Sequence, residues 1–226
     1  MLGQVAAEKR ERRVERRIKE SGLTVRKTLE TFEWSFQPKL DRKAIEELAA
    51  LGFIGRGDDL LFTGKSGTGK SHILQAIALR ACSAGHRVHY SRCVDLLDHL
   101  YAGLVDDTYE RRLRRLCRVG LLVVDDVGLG QLRKRDEEPT AAHMLFNLID
   151  LRHGDTSTST AITSNIKLSA WGKYLGDATI AAAILDRLAA SAIRVDIDGP
   201  SYRQHLAHER ARTRAARNGK PPSRAT

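Results

Sequence analysis

From Leu60 onward, short apolar runs alternate along the chain with stretches whose apolar residues recur every three or four positions. The runs LLFT, RVHY, GLLVVDD, TAITSN and IRVDI have strand length and little internal alternation. That pattern predicts parallel strands buried on both faces. Between them lie helical patterns through Ile73, Leu74, Ile77 and Ala81, ending near Gly85; through Leu96, Leu97 and Leu100; and through Leu113 and Leu116. Two more run through Met144, Leu145, Leu148 and Ile149 and through AAAILDRL. Strand and helix in alternation predict an α/β domain, and right-handed crossovers bring the C-terminal ends of its strands to one edge.

The flanks read differently. EKRERRVERRIKE, from Glu8 to Glu20, carries only Val14 and Ile18 as apolar residues at helical spacing, so this helix must dock elsewhere or lie in solvent. In LETFEWSFQPKLDR the aromatics Phe32, Trp34 and Phe36 alternate as in an extended segment, and Asp41 is placed to cap a helix reaching Leu51. HERARTRAARNGKPPSRAT reads as a basic helix fading into a Pro-rich, disordered tail. The expected organisation is a basic helical extension and linker over 1–38, an α/β domain over 39–206 and a basic tail over 207–226.

A chain of 226 residues with 42% hydrophobic content can bury one domain-sized core. The formal charge of +10 favours polyanionic partners. Cys82, Cys93 and Cys117 form no CxxC pair, which argues against a zinc site or a disulfide framework and for a reducing cytoplasm. No signal-like or membrane-spanning stretch is present.

Gly64, Lys65, Ser66, Gly67, Thr68, Gly69, Lys70 and Ser71 satisfy GxxxxGK[ST] between an apolar run and a helical pattern. Glycines let successive backbone N–H groups turn toward phosphate oxygens, and the following helix adds its dipole. Lys70 is placed for the β- and γ-phosphates of ATP, and the Ser71 hydroxyl for Mg²⁺.

In Leu121–Asp126 an apolar strand ends in two carboxylates. Asp125 suits Mg²⁺ held through water, and Asp126 suits orienting or deprotonating the attacking water; the alternative is a pair of acids on a solvent-facing loop. Asn165, at the end of TAITSN, is either a γ-phosphate or water contact or a turn residue. Arg187 in ILDRL is either a surface arginine paired with Asp186 or a neighbour, or an arginine finger directed at an adjacent subunit.

These residues together resemble the organisation of AAA+ ATPases. The run from Thr163 to Arg203, with its SxWGxxxGDxxxAxAILDRL pattern, resembles the IstB family, the helper ATPases of IS21-type transposons; LETFEWSFQPKLDR and LLVVDDVG do so as well. The likeness covers about Glu8 to Arg203. It implies a P-loop NTPase of AAA+ type with a parallel five-stranded sheet, a C-terminal lid absent or minimal, and a short helical N-terminal extension. Gly64–Ser71 then correspond to Walker A, Asp125 and Asp126 to Walker B, Asn165 to sensor 1, Arg187 to the finger, and Arg203 is the candidate for sensor 2. It also implies homo-oligomers that assemble on duplex DNA with ATP and deliver it to a transposase. Asp126 stands where many AAA+ proteins have Glu, and family members tend to carry a longer N-terminal region, so Met1 is expected to begin a shortened form.

Candidate DNA contacts are Arg133, Lys134 and Arg135 in the loop after Asp126, which is the preferred cluster, and Arg111, Arg112, Arg114 and Arg115; the N-terminal helix with Arg12, Arg13, Arg16 and Arg17 and the tail with Arg210, Arg212, Arg214 and Arg217 are further ones. No base-reading motif is visible, which predicts largely sequence-independent binding. The competing readings are a DnaC-like helicase loader, a small-molecule P-loop kinase, and a nucleotide-gated DNA scaffold with little hydrolysis.

Overall fold

The computed structural model describes residues 2–134 and 137–217. Its elements are α1 (Leu2–Glu20), α2 (Arg42–Ala49), α3 (Gly52–Arg56), β1 (Asp59–Thr63), α4 (Lys70–Ala84), β2 (Val88–Arg92), α5 (Cys93–Val105), α6 (Tyr109–Cys117) and β3 (Leu121–Val127). There follow α7 (Ala141–Arg152), β4 (Ser159–Ser164), α8 (Trp171–Leu175), α9 (Ala178–Ser191), β5 (Ala192–Asp196) and α10 (Tyr202–Arg217). The five strands are all parallel, in the order β2-β3-β4-β1-β5.

The period of two along each strand sorts the core into two layers. Leu60 and Phe62, Leu121 and Val123, and Ala161 face the side covered by α2, α3 and α4. Leu61, Leu122, Val124 and Ile162 face the side covered by α5 to α9. Every residue of β1 and β4 is buried, which is why their sequences read as continuous runs. Arg152, buried at the end of α7, ties the two sides of this layer together. It donates to the carbonyls of Leu116, Cys117, Val119 and Ser159, at 2.7 to 3.1 Å.

The N-terminal helix docks by its last turns. Ile18 is buried, Val14 packs beside it, and Ser21 O accepts from Tyr90 N at 2.7 Å, while most of the helix is exposed. Asp41 caps α2 by accepting from Ala44 N, but the helix stops at Ala49, because Leu51 turns into the left-handed region at φ 68°.

The aromatic segment is not extended. Leu29–Thr31 and Trp34–Phe36 form two 3-10 turns. Tertiary contacts override the local alternation here. Trp34 Nε1 donates back to Leu29 O at 3.2 Å, Phe32 meets Trp34 edge-on at 4.8 Å, and Phe36 meets Tyr202 at 5.1 Å. At the other end, α10 runs without a break across position 206, and residues 218–226, the Pro-rich tail, lie outside the described residues. Among the described residues no helix is long and apolar enough to cross a membrane.

Candidate functional site

The phosphate loop leaves β1 and feeds α4, whose first residue is Lys70. Its glycines are required by geometry. Gly64 has φ 146°, and a Cβ there would collide with Ile197 O. Gly69 has φ 103°, and a Cβ would lie 2.5 Å from the Phe32 ring. Thr68 Oγ1 closes the loop onto Lys65 O at 2.9 Å. Lys70 lies across it, donating from Nζ to Gly64 O at 2.7 Å and to Lys65 O at 2.8 Å. Burial lowers its pKa to about 8 against the opposing pull of Asp126 and Asp125, with Arg203 adding repulsion.

Strand order sets the rest of the site. Because β4 lies between β1 and β3, the residue that ends β4 falls between the phosphate loop and the carboxylates that end β3. Asp125 is buried and saturated with donors: Ser71 Oγ at 2.9 Å, Asp126 N at 3.0 Å, and the hydroxyls of Thr163 and Tyr90. Gln75 Nε2 donates to the Tyr90 hydroxyl at 2.8 Å, which fixes that hydroxyl's proton on Asp125. Burial first, and the neighbouring Asp125 second, raise the Tyr90 pKa, so it remains a donor.

The register of β3 on β4 shifts between Val124 and Val127, and Asp126 in that irregular step has φ 62°. This conformation is uncommon for a non-glycine residue, and aspartate is among those that tolerate it. It aims the Asp126 carboxylate into the cavity, where Asn165 Nδ2 donates to Oδ1 at 2.8 Å.

That cavity has a volume of about 490 Å³. Lys70, Ser71, Asp126, Asn165 and Arg203 line it, together with Phe36, Gln37, His72, Tyr202 and Leu206. The start of α10 reaches it because Tyr202 N donates to Gly67 O at 3.0 Å and Gln37 Nε2 to Pro200 O at 3.0 Å. The geometry fits a nucleoside triphosphate: a glycine-lined turn, a helix N-terminus, a lysine and an arginine, with flat side chains in the same lining. Ser71 and Asp125 face each other as a magnesium pair requires.

Four groups proposed from the sequence lie elsewhere. Arg187, half-exposed on α9, is not part of this cavity; its Nε donates to Asp150 Oδ1 at 2.9 Å, and Asp186 lies at 3.7 Å. Arg133 is tied to Asp98 at 2.7 Å and stacks over Tyr101 at 5.2 Å; Lys134 is exposed and Arg135 lies outside the described residues. On α6, Arg111, Arg114 and Arg115 are exposed, whereas Arg112 is held by Asp106 at 2.6 Å and His99 O at 2.7 Å. Of the tail, Arg210, Arg212 and Arg214 are exposed on α10, and the side chain of Arg217 lies outside the description.

Sequence reasoning missed Tyr90, Gln75, Thr163 and His72. His72 lines the cavity and donates from Nε2 to Thr28 O at 2.8 Å. Thr163 carried one usable signal, since a hydroxyl in a fully buried strand must find a partner.

Comparison with known proteins decides the family. The family model for IstB-like ATP binding proteins matches residues 1–210. The chain belongs to this family. An IS21 putative ATP-binding protein of Pseudomonas aeruginosa is 35% identical over 85% of this chain and 70% of its own length. One from IS5376 of Geobacillus stearothermophilus is 34% identical over 87% of this chain and 75% of its own. This IstB-like chain is therefore an ATP-binding ATPase. Its fold is that of AAA+ P-loop proteins. AMPPCP-bound DnaA from Aquifex aeolicus superposes with a TM-score of 0.62 at 21% identity, covering 90% of this chain; the chain spans 59% of that DnaA. The DnaC helicase loader superposes with a TM-score of 0.52 at 19% identity, over 70% of this chain and 87% of its own.

Proposed function

We propose that this IstB-like ATPase assembles on duplex DNA in its ATP state and presents that DNA to a partner transposase. The observation that carries the reading is the Asn165–Asp126 pair in the cavity that Lys70, Ser71 and Arg203 also line, with Asp125 bonded to Ser71, where the terminal phosphate of a bound ATP would meet them. A site of this kind responds to the presence of the terminal phosphate. The names of the relatives, ATP-binding proteins of insertion sequences, support a transposase as client. The likeness to DnaC rests on the fold alone and favours a helicase client less.

Each residue then has a task. Lys70 exchanges the Gly64 and Lys65 carbonyls for phosphate oxygens. Ser71 and Asp125 would hold Mg²⁺, which would supply positive charge to a bound triphosphate. Tyr90, Thr163 and Gln75 fix the orientation of Asp125. Asp126 accepts the proton of the attacking water, and Asn165 keeps that carboxylate and the water in line. Arg203 adds positive charge from α10. Arg187 acts in a neighbouring subunit, leaving Asp150 to do so.

The test is ATP hydrolysis per subunit, measured against protein concentration with and without duplex DNA. The rate rises with both if adjacent subunits complete each other's sites. A rate per subunit indifferent to both refutes the assembly, and transfer of phosphate to a metabolite would indicate a kinase. A cytoplasmic location follows from these partners.

A further inference from the structure

At the N-terminal ends of β2 and β3, away from the phosphate loop, a groove of about 580 Å³ opens between the last turns of α1, the entry to β2, and α6. Arg17, Arg87, Arg111, Arg114, Arg115 and Arg118 line it, together with Arg112, and among the described residues the sole carboxylate in its lining is Glu20. The helix period makes this a designed stripe. Positions 111, 114, 115 and 118 share one face of α6 and its C-cap, while Leu113 and Leu116 are buried on another.

Most of these charges are not spent inside the molecule. Arg112, on a different bearing, is consumed by Asp106 and His99 O. Arg87 donates to the Arg118 carbonyl at 2.8 Å, which leaves its charge uncompensated. Among the described residues, none of the six is in an ion pair. Like charges at three- and four-residue spacing destabilise a helix, so the stripe is unfavourable until an anion lies against it. The local field is correspondingly positive. His89 beneath the stripe is held down to about 4, first by burial and then by His99 and Arg115.

Six guanidiniums from three elements are too many for one small anion. The α6 stripe alone is about 10 Å long, a length over which duplex DNA carries about six phosphates. Guanidinium forks match phosphate oxygens, and arginine is the residue that suits such contacts. We propose that this groove holds the phosphate backbone of duplex DNA and does so without nucleotide. The proposal rests on the DNA-assembly reading above and deepens it. From Leu121, at the end of β3 nearer the groove, Asp125 and Asp126 lie four and five residues along the strand, or about 13–17 Å away. The cell of contacts that holds DNA is thereby distinct from the one that senses the γ-phosphate. The groove, rather than the loop at Arg133 and Lys134, becomes the primary surface, since Arg133 is already engaged by Asp98 and Tyr101.

The experiment is fluorescence anisotropy of a labelled short duplex with nucleotide-free full-length protein, over a salt series. The double variant Arg111→Glu/Arg115→Glu is compared with Arg210→Glu/Arg212→Glu on α10, which changes net charge equally. Unchanged ATP binding by each variant shows that it is folded, and Arg111→Ala/Arg115→Ala repeats the test without charge reversal. The groove variant weakens binding by about tenfold or more and lowers the slope of log K against log salt by about 2, and the α10 variant changes both much less. Equal losses in the two variants, or none in the groove variant, overturn the proposal. Displacement of the duplex by polyglutamate as readily as by unlabelled DNA also overturns it, in favour of an acidic protein segment. If wild-type protein with ATP still gathers on DNA while the groove variant does so equally well, the groove fails and the assembly reading stands. No DNA binding by wild type in any nucleotide state removes both.

Discussion

Asn165 Nδ2 donates to Asp126 Oδ1 at 2.8 Å, joining the C-terminal ends of neighbouring strands β4 and β3. The amide restrains the carboxylate proposed as the base, and Asp126 reaches it only because its backbone adopts φ 62° in the irregular step of β3. Replacing Asp126 by Asn lowers ATP turnover by about 10²-fold or more while leaving ATP affinity nearly unchanged. Steady-state hydrolysis beside nucleotide titration checks both halves.

Asp125 depends on donors that the motif does not include. Tyr90→Phe removes one of them and leaves the Gln75 amide without its acceptor, a loss of about 0.5–1.5 kcal/mol of interaction. The expected result is weaker Mg²⁺ binding during hydrolysis, seen as a higher Mg²⁺ concentration at half-maximal rate, with ATP-alone binding unaltered. An unchanged Mg²⁺ midpoint contradicts the positioning role.

The pH response follows from Lys70. Its burial holds the ammonium at about 8 in the free protein, and phosphate favours the charged form. Below that value the lysine is already protonated. Above it, binding must take up a proton, so ATP affinity falls as pH rises, by up to about tenfold per unit. Calorimetry in buffers of different ionisation enthalpy at about pH 8.5 should register proton uptake from this group. Binding without uptake would place the Lys70 pKa well above the working pH.

Arg187 is half-exposed and held by Asp150 across α7 and α9. Arg187→Ala abolishes most hydrolysis yet leaves ATP binding by isolated subunits intact. Mixing it with Lys70→Ala subunits, which keep Arg187, restores part of the activity if the arginine acts in trans. Two inactive variants that stay inactive when mixed rule out the finger.

Arg152 supports the fold rather than the chemistry. Arg152→Ala deprives the Leu116, Cys117, Val119 and Ser159 carbonyls of their donor. Urea unfolding should register a loss of about 3 kcal/mol or more.

Much of this was legible in the chain because β1, β3 and β4 are buried on both faces and the helices between them carry regular apolar periods. The phosphate loop, the paired carboxylates and Asn165 fall where strand order brings them together. What stayed hidden depended on distant partners. Phe36 rests on Tyr202 and His205, far along the chain, so its alternation with Phe32 and Trp34 imitated a strand. Tyr90 belongs to the site only because β2 lies beside β3, and Asp150 meets Arg187 only through helix packing. Local pattern carries no information about such pairs.

Assembly driven by the terminal phosphate is tested most directly by sedimentation of the protein with duplex DNA in ATP and Mg²⁺, in ADP and Mg²⁺, and with Lys70→Ala in ATP. Large nucleoprotein complexes in the first condition alone are the expected result. Complexes of the same size in all three, or in none, would contradict it.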